Sequence, residues 1–187
     1  PTSADRELGI LFVPTRRGCR SENIVPGEEL DLPDDIMTTG TTIAQWAVAN
    51  RGDFGGPQGL PVFKPPYSQV VAIDMNTGEH LWAVPNGDTP DYIRNHRSLQ
   101  GVDIPNTGRL SYPITMVTPT LLLTAEGAGG APVLHGVDKM TGERLGTVEL
   151  PAPGQYGMMT YMHNDRQYIV VQTGGRTPGA LVALRLP

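Results

Sequence analysis

Few residues of this sequence combine a reactive type with a spacing that predicts chemistry. The single cysteine, Cys19, excludes an internal disulfide and a Cys-x-x-Cys-His haem attachment within the chain, and we expect a packed thiol rather than a nucleophile. The histidines show no metal-ligand spacing, so we expect surface or hydrogen-bonded side chains. They are His80, His96, His135 and His163. We therefore predict no catalytic residue and no metal ligand in this chain.

Carboxylates and arginines offer two further possibilities. Glu126 and Asp88 are candidates for the acid–base residues of a hydrolase or lyase, although no spacing identifies them as a pair. Arg94, Arg97 and Arg109 give residues 86–112 some positive charge; we expect a solvated loop, with contact to an acidic substrate or headgroup as the alternative. The net charge of −5 argues against broad nucleic-acid binding, which requires a basic face. No apolar run approaches the roughly 18 residues of a membrane span.

A repeated segment indicates which elements position these residues. Residues 72–82, AIDMNTGEHLW, reappear as residues 136–146, GVDKMTGERLG, and the two aspartates, Asp74 and Asp138, lie 64 positions apart. Each copy predicts a strand, a tight Thr-Gly turn and a second strand. The aspartates are expected to bond backbone N–H groups of the turn, not to act in catalysis. A strand pair that recurs along a chain is one unit stacked beside its copies.

Apolar runs around the repeat complete the predicted unit. Residues 10–15, 121–126 and 168–173 are continuous apolar strands, and residues 113–118 and 158–163 precede two of them. The predicted unit is four antiparallel strands, which is typical of a β-propeller blade. We predict an all-β partial propeller of about two and a half blades, with units near 8–84, 110–150 and 156–187. The first unit shows three strands, and Asn164-Asp165 is the predicted hairpin turn of the third.

Two insertions interrupt the predicted units. They cover residues 16–68 and 86–112, with a short helix expected at Thr41–Asn50 and another at Tyr92–Leu99. Antiparallel order places both insertions at the same end of the blades, opposite the Thr-Gly turns. Function concentrates in long loops on a rigid scaffold, so we expect the functional face at that end. Because two and a half blades cannot close a ring, we expect the chain, residues 1–187, to be the C-terminal section of a larger propeller.

Several motifs resemble those of pyrroloquinoline quinone (PQQ)-dependent dehydrogenases. The segment Ala72–Trp82 resembles the tryptophan-docking repeat of this family, with Trp82 as the expected contact between blades. Residues 59–67, GLPVFKPPY, and 82–88, WAVPNGD, resemble the membrane-bound glucose dehydrogenase branch, as do residues 159–161 and 167–171. The resemblance covers most of residues 8–187.

The resemblance implies an eight-bladed propeller with PQQ on its axis. Alcohol-oxidising relatives carry Val-Pro-Thr-Asn, whose Asn contacts PQQ, whereas this chain has Val13-Pro14-Thr15-Arg16. Relatives carry Trp or Gly-Gly near the cofactor where this chain has Leu110-Ser111-Tyr112. The cofactor-binding residues implied are Arg16, Thr15 and Ser111.

The implied function is oxidation of a sugar or alcohol, with electrons passed from PQQ to a quinone or another acceptor. The family's catalytic base and its ligands for Ca²⁺ or a similar divalent cation have no counterparts in this sequence, so we expect them elsewhere in the protein. The isolated chain is therefore expected to be inactive. A periplasmic location follows from the same resemblance, with membrane association of the full protein possible. The alternative is a non-catalytic propeller scaffold that binds partners through its loops.

Overall fold

The computed structural model describes residues 2–27, 45–174 and 179–185. The chain divides into two compact units. The first contains Pro1–Arg17 and Lys64–Pro187, and the second contains Gly18–Phe63. Strands dominate the described residues, and the prediction of an all-β partial propeller is confirmed. In the described part of the chain no helix has the length and apolar character of a membrane span.

The first unit contains three antiparallel sheets. The first sheet has the order β1-β2-β5-β6, and the second has the order β10-β9-β8-β7. The third has the order β11-β12-β13. The strands of the first sheet are β1 (Ser3–Asp5), β2 (Ile10–Arg16), β5 (Ser68–Asp74) and β6 (His80–Pro85). Those of the second are β7 (Ile114–Val117), β8 (Leu122–Ala125), β9 (Val133–Val137) and β10 (Arg144–Glu149). Those of the third are β11 (Gly154–His163), β12 (Arg166–Thr173) and β13 (Ala180–Arg185).

Strand β1 was not predicted from the sequence. Ser3 pairs with Phe12, and Asp5 pairs with Ile10. The strand is short and polar, so it carries no apolar periodicity by which it could be recognised. It exists because β2 offers an edge for pairing, and it gives the first sheet four strands where the sequence pattern predicted three.

The repeated turn has the same hydrogen bonds in both copies, as the sequence predicted. In the first copy, Oδ1 of Asp74 accepts from the N–H groups of Asn76 and Thr77 at 2.7 and 3.2 Å. In the second, Oδ1 of Asp138 accepts from the two equivalent N–H groups at 2.8 Å. The glycine of each turn has a positive φ, near 77°, which a residue with a side chain rarely adopts. The side-chain acceptor and this glycine fix the turn locally.

Trp82 lies between the first and second sheets. Its Nε1 donates to the backbone oxygen of Lys139 at 3.0 Å, and its ring centroid lies 5.8 Å from that of Phe12. A Cβ on Gly142 would lie 2.9 Å from the indole, so the tryptophan packs directly on the next sheet's turn. The predicted role of Trp82 as a contact between sheets is confirmed.

The two expected helices differ from the structure. Residues 41–44 lie outside the described part, and β4 (Trp46–Asp53) occupies the rest of the segment, so a helix there is wrong. Pairing of β4 with β3 (Arg20–Pro26) overrides local propensity. The second segment contains a four-residue helix, α1 (Asp91–Arg94), and a 3₁₀ turn at Arg97–Leu99. His96 has an extended conformation (φ −69°, ψ 129°) that separates the two, so one continuous helix is also wrong.

Candidate functional site

The last residue of β2 places a cation beside an exposed aromatic ring. Arg16 pairs with Ser68 in the β2–β5 ladder, and its guanidinium carbon lies 5.0 Å from the ring centroid of Tyr112. This distance is within the range of a cation–π interaction. Tyr112 is 60% exposed, so the pair is partly open to solvent. The pair forms a surface with a positive charge and a flat apolar face.

The other two sequence-predicted site residues are hydrogen-bonded within the protein. The hydroxyl of Thr15 donates to the backbone oxygen of Gln69 at 3.4 Å. Ser111 is buried, and its hydroxyl donates to the backbone oxygen of Glu126 at 2.6 Å. The hydroxyl hydrogen of Ser111 is therefore already used in an internal bond. Ser111 directly precedes Tyr112, the residue whose ring contacts Arg16.

Asn86 connects the loops at this end of the sheets. Its side-chain nitrogen donates to Ser111 Oγ and to the backbone oxygen of Glu126, both at 3.0 Å. Its backbone N–H donates to the backbone oxygen of Ser68 at 2.9 Å, and its backbone oxygen accepts from the backbone N–H of Arg109 at 2.8 Å. The residues that follow β6 and β8 and precede β7 therefore meet at one end, as the antiparallel order predicted. The sequence reasoning missed Asn86; its signal is a polar amide directly after a strand and before a glycine.

Glu126 forms a buried charge cluster beneath these loops. Its side chain is 5% exposed, and Oε2 lies 3.0 Å from Arg109 Nε. The same oxygen accepts from the N–H of Ala131 at 2.7 Å. Oε1 lies 3.7 Å from Nε2 of the buried His135, whose Nδ1 is bonded to Thr147 Oγ1 at 2.8 Å. Both carboxylate oxygens of Glu126 are therefore directed at protein groups.

These contacts keep the Glu126 carboxyl ionised. Burial by itself raises the pKa of Glu126, because it removes the charge from water. The His135 imidazole, the Ala131 N–H and the Arg109 guanidinium outweigh burial, and the pKa of Glu126 lies below its usual range. Gly87 (φ +69°) lies against the carboxylate, and a Cβ there would come within 2.6 Å of it.

The arrangement does not favour acid–base hydrolysis by Glu126. A general acid needs a raised pKa and access to a substrate, whereas this carboxylate is enclosed, paired and low in pKa. Among the described residues, no three His, Cys, Asp or Glu side chains are grouped so that they could hold a metal ion. Among the described residues at this end, Tyr112 is exposed beside the half-buried Arg16, and the buried Glu126 fixes the neighbouring loops.

The fold and this loop end define a segment of a β-propeller that carries an arginine–tyrosine contact at one end. The family described as "PQQ: Glucose/ethanol/alcohol dehydrogenase, beta-propeller domain" matches residues 2–169, and the chain belongs to that family. The resemblance to PQQ-dependent dehydrogenases drawn from the sequence motifs is confirmed.

Individual relatives agree with the family assignment. The chain is 31% identical over 156 residues to quinoprotein glucose dehydrogenase of Escherichia coli (strain K12), covering 80% of this chain and 19% of the relative. It is 30% identical over 136 residues to a probable quinate dehydrogenase (quinone) of Xanthomonas campestris pv. juglandis, covering 67% and 16%. The chain thus spans less than a fifth of the length of these relatives.

A solved structure supports the fold independently. Quinohemoprotein alcohol dehydrogenase from Comamonas testosteroni matches with a TM-score of 0.57 at 17% identity, covering 99% of this chain and 25% of that one. At this level of identity the likeness concerns the fold alone.

Proposed function

We propose that this chain is part of a PQQ-dependent dehydrogenase that oxidises a sugar or alcohol, and that it supplies blades and one wall of the cofactor site. Family membership supports this proposal, together with the names of the relatives, which specify glucose and quinate as substrates. The observation that carries it is the match of the family's β-propeller domain to residues 2–169, and the Arg16–Tyr112 pair marks the proposed cofactor wall. We propose that the three sheets are consecutive blades of one propeller domain, with insertions at residues 16–68 and 86–112.

The residues present fit the chemistry of PQQ. PQQ is a planar quinone that carries carboxylates, and when bound it accepts two electrons and a proton from the substrate alcohol. The guanidinium of Arg16 can bind a carboxylate or quinone oxygen with two parallel N–H donors. The Tyr112 ring holds that guanidinium by cation–π contact. In this proposal Arg16 binds and orients the cofactor, and Tyr112 and Thr15 line its edge.

Ser111 contributes by holding its loop in place. Its hydroxyl hydrogen is already donated to Glu126, and its oxygen accepts from Asn86. In this proposal Ser111 belongs to the cofactor wall because it fixes the backbone that presents Tyr112. The ion pair between the buried Glu126 carboxylate and the partly exposed Arg109 supports the same loops. The wall is therefore preorganised before a ligand arrives.

The remaining parts of the proposed reaction centre lie outside this chain. A divalent cation such as Ca²⁺ and the catalytic base are assigned to the rest of the protein, and we expect no dehydrogenase activity from the isolated chain. A quinone as electron acceptor is supported by the name of the quinate relative. A periplasmic location belongs to the proposal on family grounds.

The test is a PQQ titration of the intact apoprotein that contains this chain, followed by cofactor absorbance. Arg16→Ala should weaken PQQ affinity more than about tenfold, the scale of a lost charge-assisted hydrogen bond. Arg17→Ala is the matched control, because Arg17 is the adjacent exposed arginine, and it should bind PQQ like the wild type. Unchanged affinity in Arg16→Ala would refute the role of Arg16. An intact protein that takes up no PQQ would favour the scaffold alternative.

A further inference from the structure

Asn86 connects the two backbones that carry Arg16 and Tyr112. It directly follows β6, and its backbone N–H donates to the backbone oxygen of Ser68 at 2.9 Å. Ser68 is the partner of Arg16 in the β2–β5 ladder. Arg16, Ser68 and Asn86 therefore form one row across the end of the first sheet, and Asn86 holds the strand against which Arg16 is registered.

The side chain of Asn86 reaches the loops of the second sheet. Its Nδ2 donates to Ser111 Oγ and to the backbone oxygen of Glu126, both at 3.0 Å. Ser111 Oγ donates to the same Glu126 oxygen at 2.6 Å, so the three groups form a closed triangle of hydrogen bonds. The orientation of the Asn86 amide follows from this triangle, because a carbonyl oxygen can only accept and must face the NH₂ group.

The triangle determines where the Tyr112 backbone lies. Ser111 directly precedes Tyr112, and Gly127 directly follows Glu126. A Cβ on Gly127 would overlap the backbone oxygen of Tyr112, so these two backbone segments pack directly on each other. Any shift of Ser111 or Glu126 away from Asn86 therefore also moves the backbone that presents the Tyr112 ring.

Burial makes these hydrogen bonds able to set a distance. Asn86 is 6% exposed, and Ser111 and Glu126 are each 4% exposed. Breaking a buried hydrogen bond leaves a polar group without a partner, so these bonds are not exchanged for bonds to water. The row on the first sheet and the loops on the second are thus held at a fixed spacing. At that spacing the Arg16 guanidinium carbon lies 5.0 Å from the Tyr112 ring centroid.

We propose that Asn86 is a positioning residue that sets the distance between Arg16 and Tyr112, and thereby the affinity of the cofactor wall for PQQ. Asn86 is buried and acts through the backbones of Ser68 and Ser111. The effect on PQQ rests on the proposed function, whereas the effect on the Arg16–Tyr112 contact does not.

The first measurement needs no cofactor. In the intact apoprotein with isotope-labelled arginine, the Tyr112 ring should shift the NMR signals of the Arg16 side chain upfield, and Tyr112→Leu identifies this ring-current shift. Asn86→Ala removes both side-chain hydrogen bonds and should reduce the shift by about half or more. Asn106→Ala is the matched control, because Asn106 is an exposed asparagine of the same connection whose amide bonds other backbone groups, and it should preserve the shift.

The second measurement is a PQQ titration of the same variants. Asn86→Ala should weaken PQQ affinity about three- to tenfold, and Asn106→Ala should bind PQQ like the wild type. In an Arg16→Ala background, Asn86→Ala should have little further effect, because two residues that act through one contact are not additive. A merely structural role for Asn86 would give additive losses instead.

Ser111→Ala breaks the same triangle with a smaller change of side chain. It should reduce the ring-current shift and the PQQ affinity in the same direction, and it decides the question if Asn86→Ala does not fold. An unchanged Arg16 shift in the variants that fold would overturn the proposal, as would losses of PQQ affinity that add to that of Arg16→Ala. A reduced shift in an intact protein that takes up no PQQ would refute the proposed function and support the positioning of Arg16 by Asn86.

Discussion

Replacing Glu126 by Gln tests whether the buried charge cluster stabilises the loop end. The variant keeps the shape of the side chain and removes its negative charge. Three groups of the protein lose their anionic partner: the Arg109 guanidinium at 3.0 Å, the Ala131 N–H at 2.7 Å and the His135 imidazole at 3.7 Å. We expect a loss of stability at neutral pH because the remaining cation is left without compensation.

The magnitude follows from the geometry. At 3.0 Å and an effective dielectric constant of about 20, the Arg109–Glu126 attraction is about 5 to 6 kcal/mol. Desolvation of both groups offsets much of this attraction. A hydrogen bond to a charged group contributes about 1.5 to 3 kcal/mol net, so we expect Glu126→Gln to lower the free energy of unfolding by about 2 to 3 kcal/mol.

The dependence on pH separates a charge effect from a packing effect. The pKa of Glu126 is lower in the folded protein than its usual value, so ionisation favours the folded state. The contribution is complete above the unfolded pKa of about 4.3 and is lost as pH falls through the lower folded pKa. The difference between wild type and Glu126→Gln should therefore be constant near neutral pH and shrink below about pH 4.3.

The assay is urea unfolding of the intact protein at a series of pH values, followed by near-UV circular dichroism. Glu149→Gln is the matched control, because Glu149 is exposed on β10, and it should change the unfolding midpoint little at any pH. A Glu126→Gln protein as stable as the wild type at neutral pH would refute the reasoning. A deficit that persists undiminished in acid would show that the cause is packing and not charge.

Two further predictions concern the Lys139–Asp5 pair at the Thr-Gly turn end of the sheets and the contact that Trp82 makes between the first and second sheets. Lys139→Ala should cost about 3 kcal/mol in urea unfolding, because the buried Lys139 Nζ bonds Asp5 and two backbone oxygens. Its hydrogen bond lowers the pKa of Asp5, so the deficit should narrow below about pH 3.9, and a deficit that does not change with pH would contradict the charge pairing. Trp82→Ala should lower unfolding stability by about 3 to 4 kcal/mol, with Leu81→Ala, an exposed neighbour, as the control. Equal effects of those two substitutions would argue against Trp82 as the contact between the sheets.

Features that depend on near neighbours in the chain were predictable. The Asp-x-x-Thr-Gly turns formed as expected because an aspartate oxygen and a glycine four residues later fix the backbone within one turn. Asn164-Asp165 formed the expected hairpin turn, with φ of 48° and 57°, because these two residue types tolerate the left-handed region.

Features that depend on partners distant in the chain were not predictable from the sequence. Strand β1 is a three-residue segment, Ser-Ala-Asp, that is extended because it pairs with the edge of β2, and β4 is a strand because β3 pairs with it. The sequence marks Glu126 only as an acid–base candidate, since nothing in its flanking residues indicates that Arg109 and His135 lie beside its carboxylate. The roles of Arg16, Thr15 and Ser111 at the cofactor stay predictions.

The sequence by itself determined the succession of the apolar strands, the repeated turn and the end of the sheets at which the long loops lie. These follow from continuous apolar runs, turn chemistry and antiparallel order, all of which can be read from the order of residues along the chain. Only the tertiary structure decided that Arg16 lies over Tyr112 and that Ser111 is tied to Asn86 and Glu126. Those contacts join residues that are 15 or more positions apart in the chain. They are selected by packing and by the need to pair buried polar groups, and a local sequence pattern contains neither kind of information.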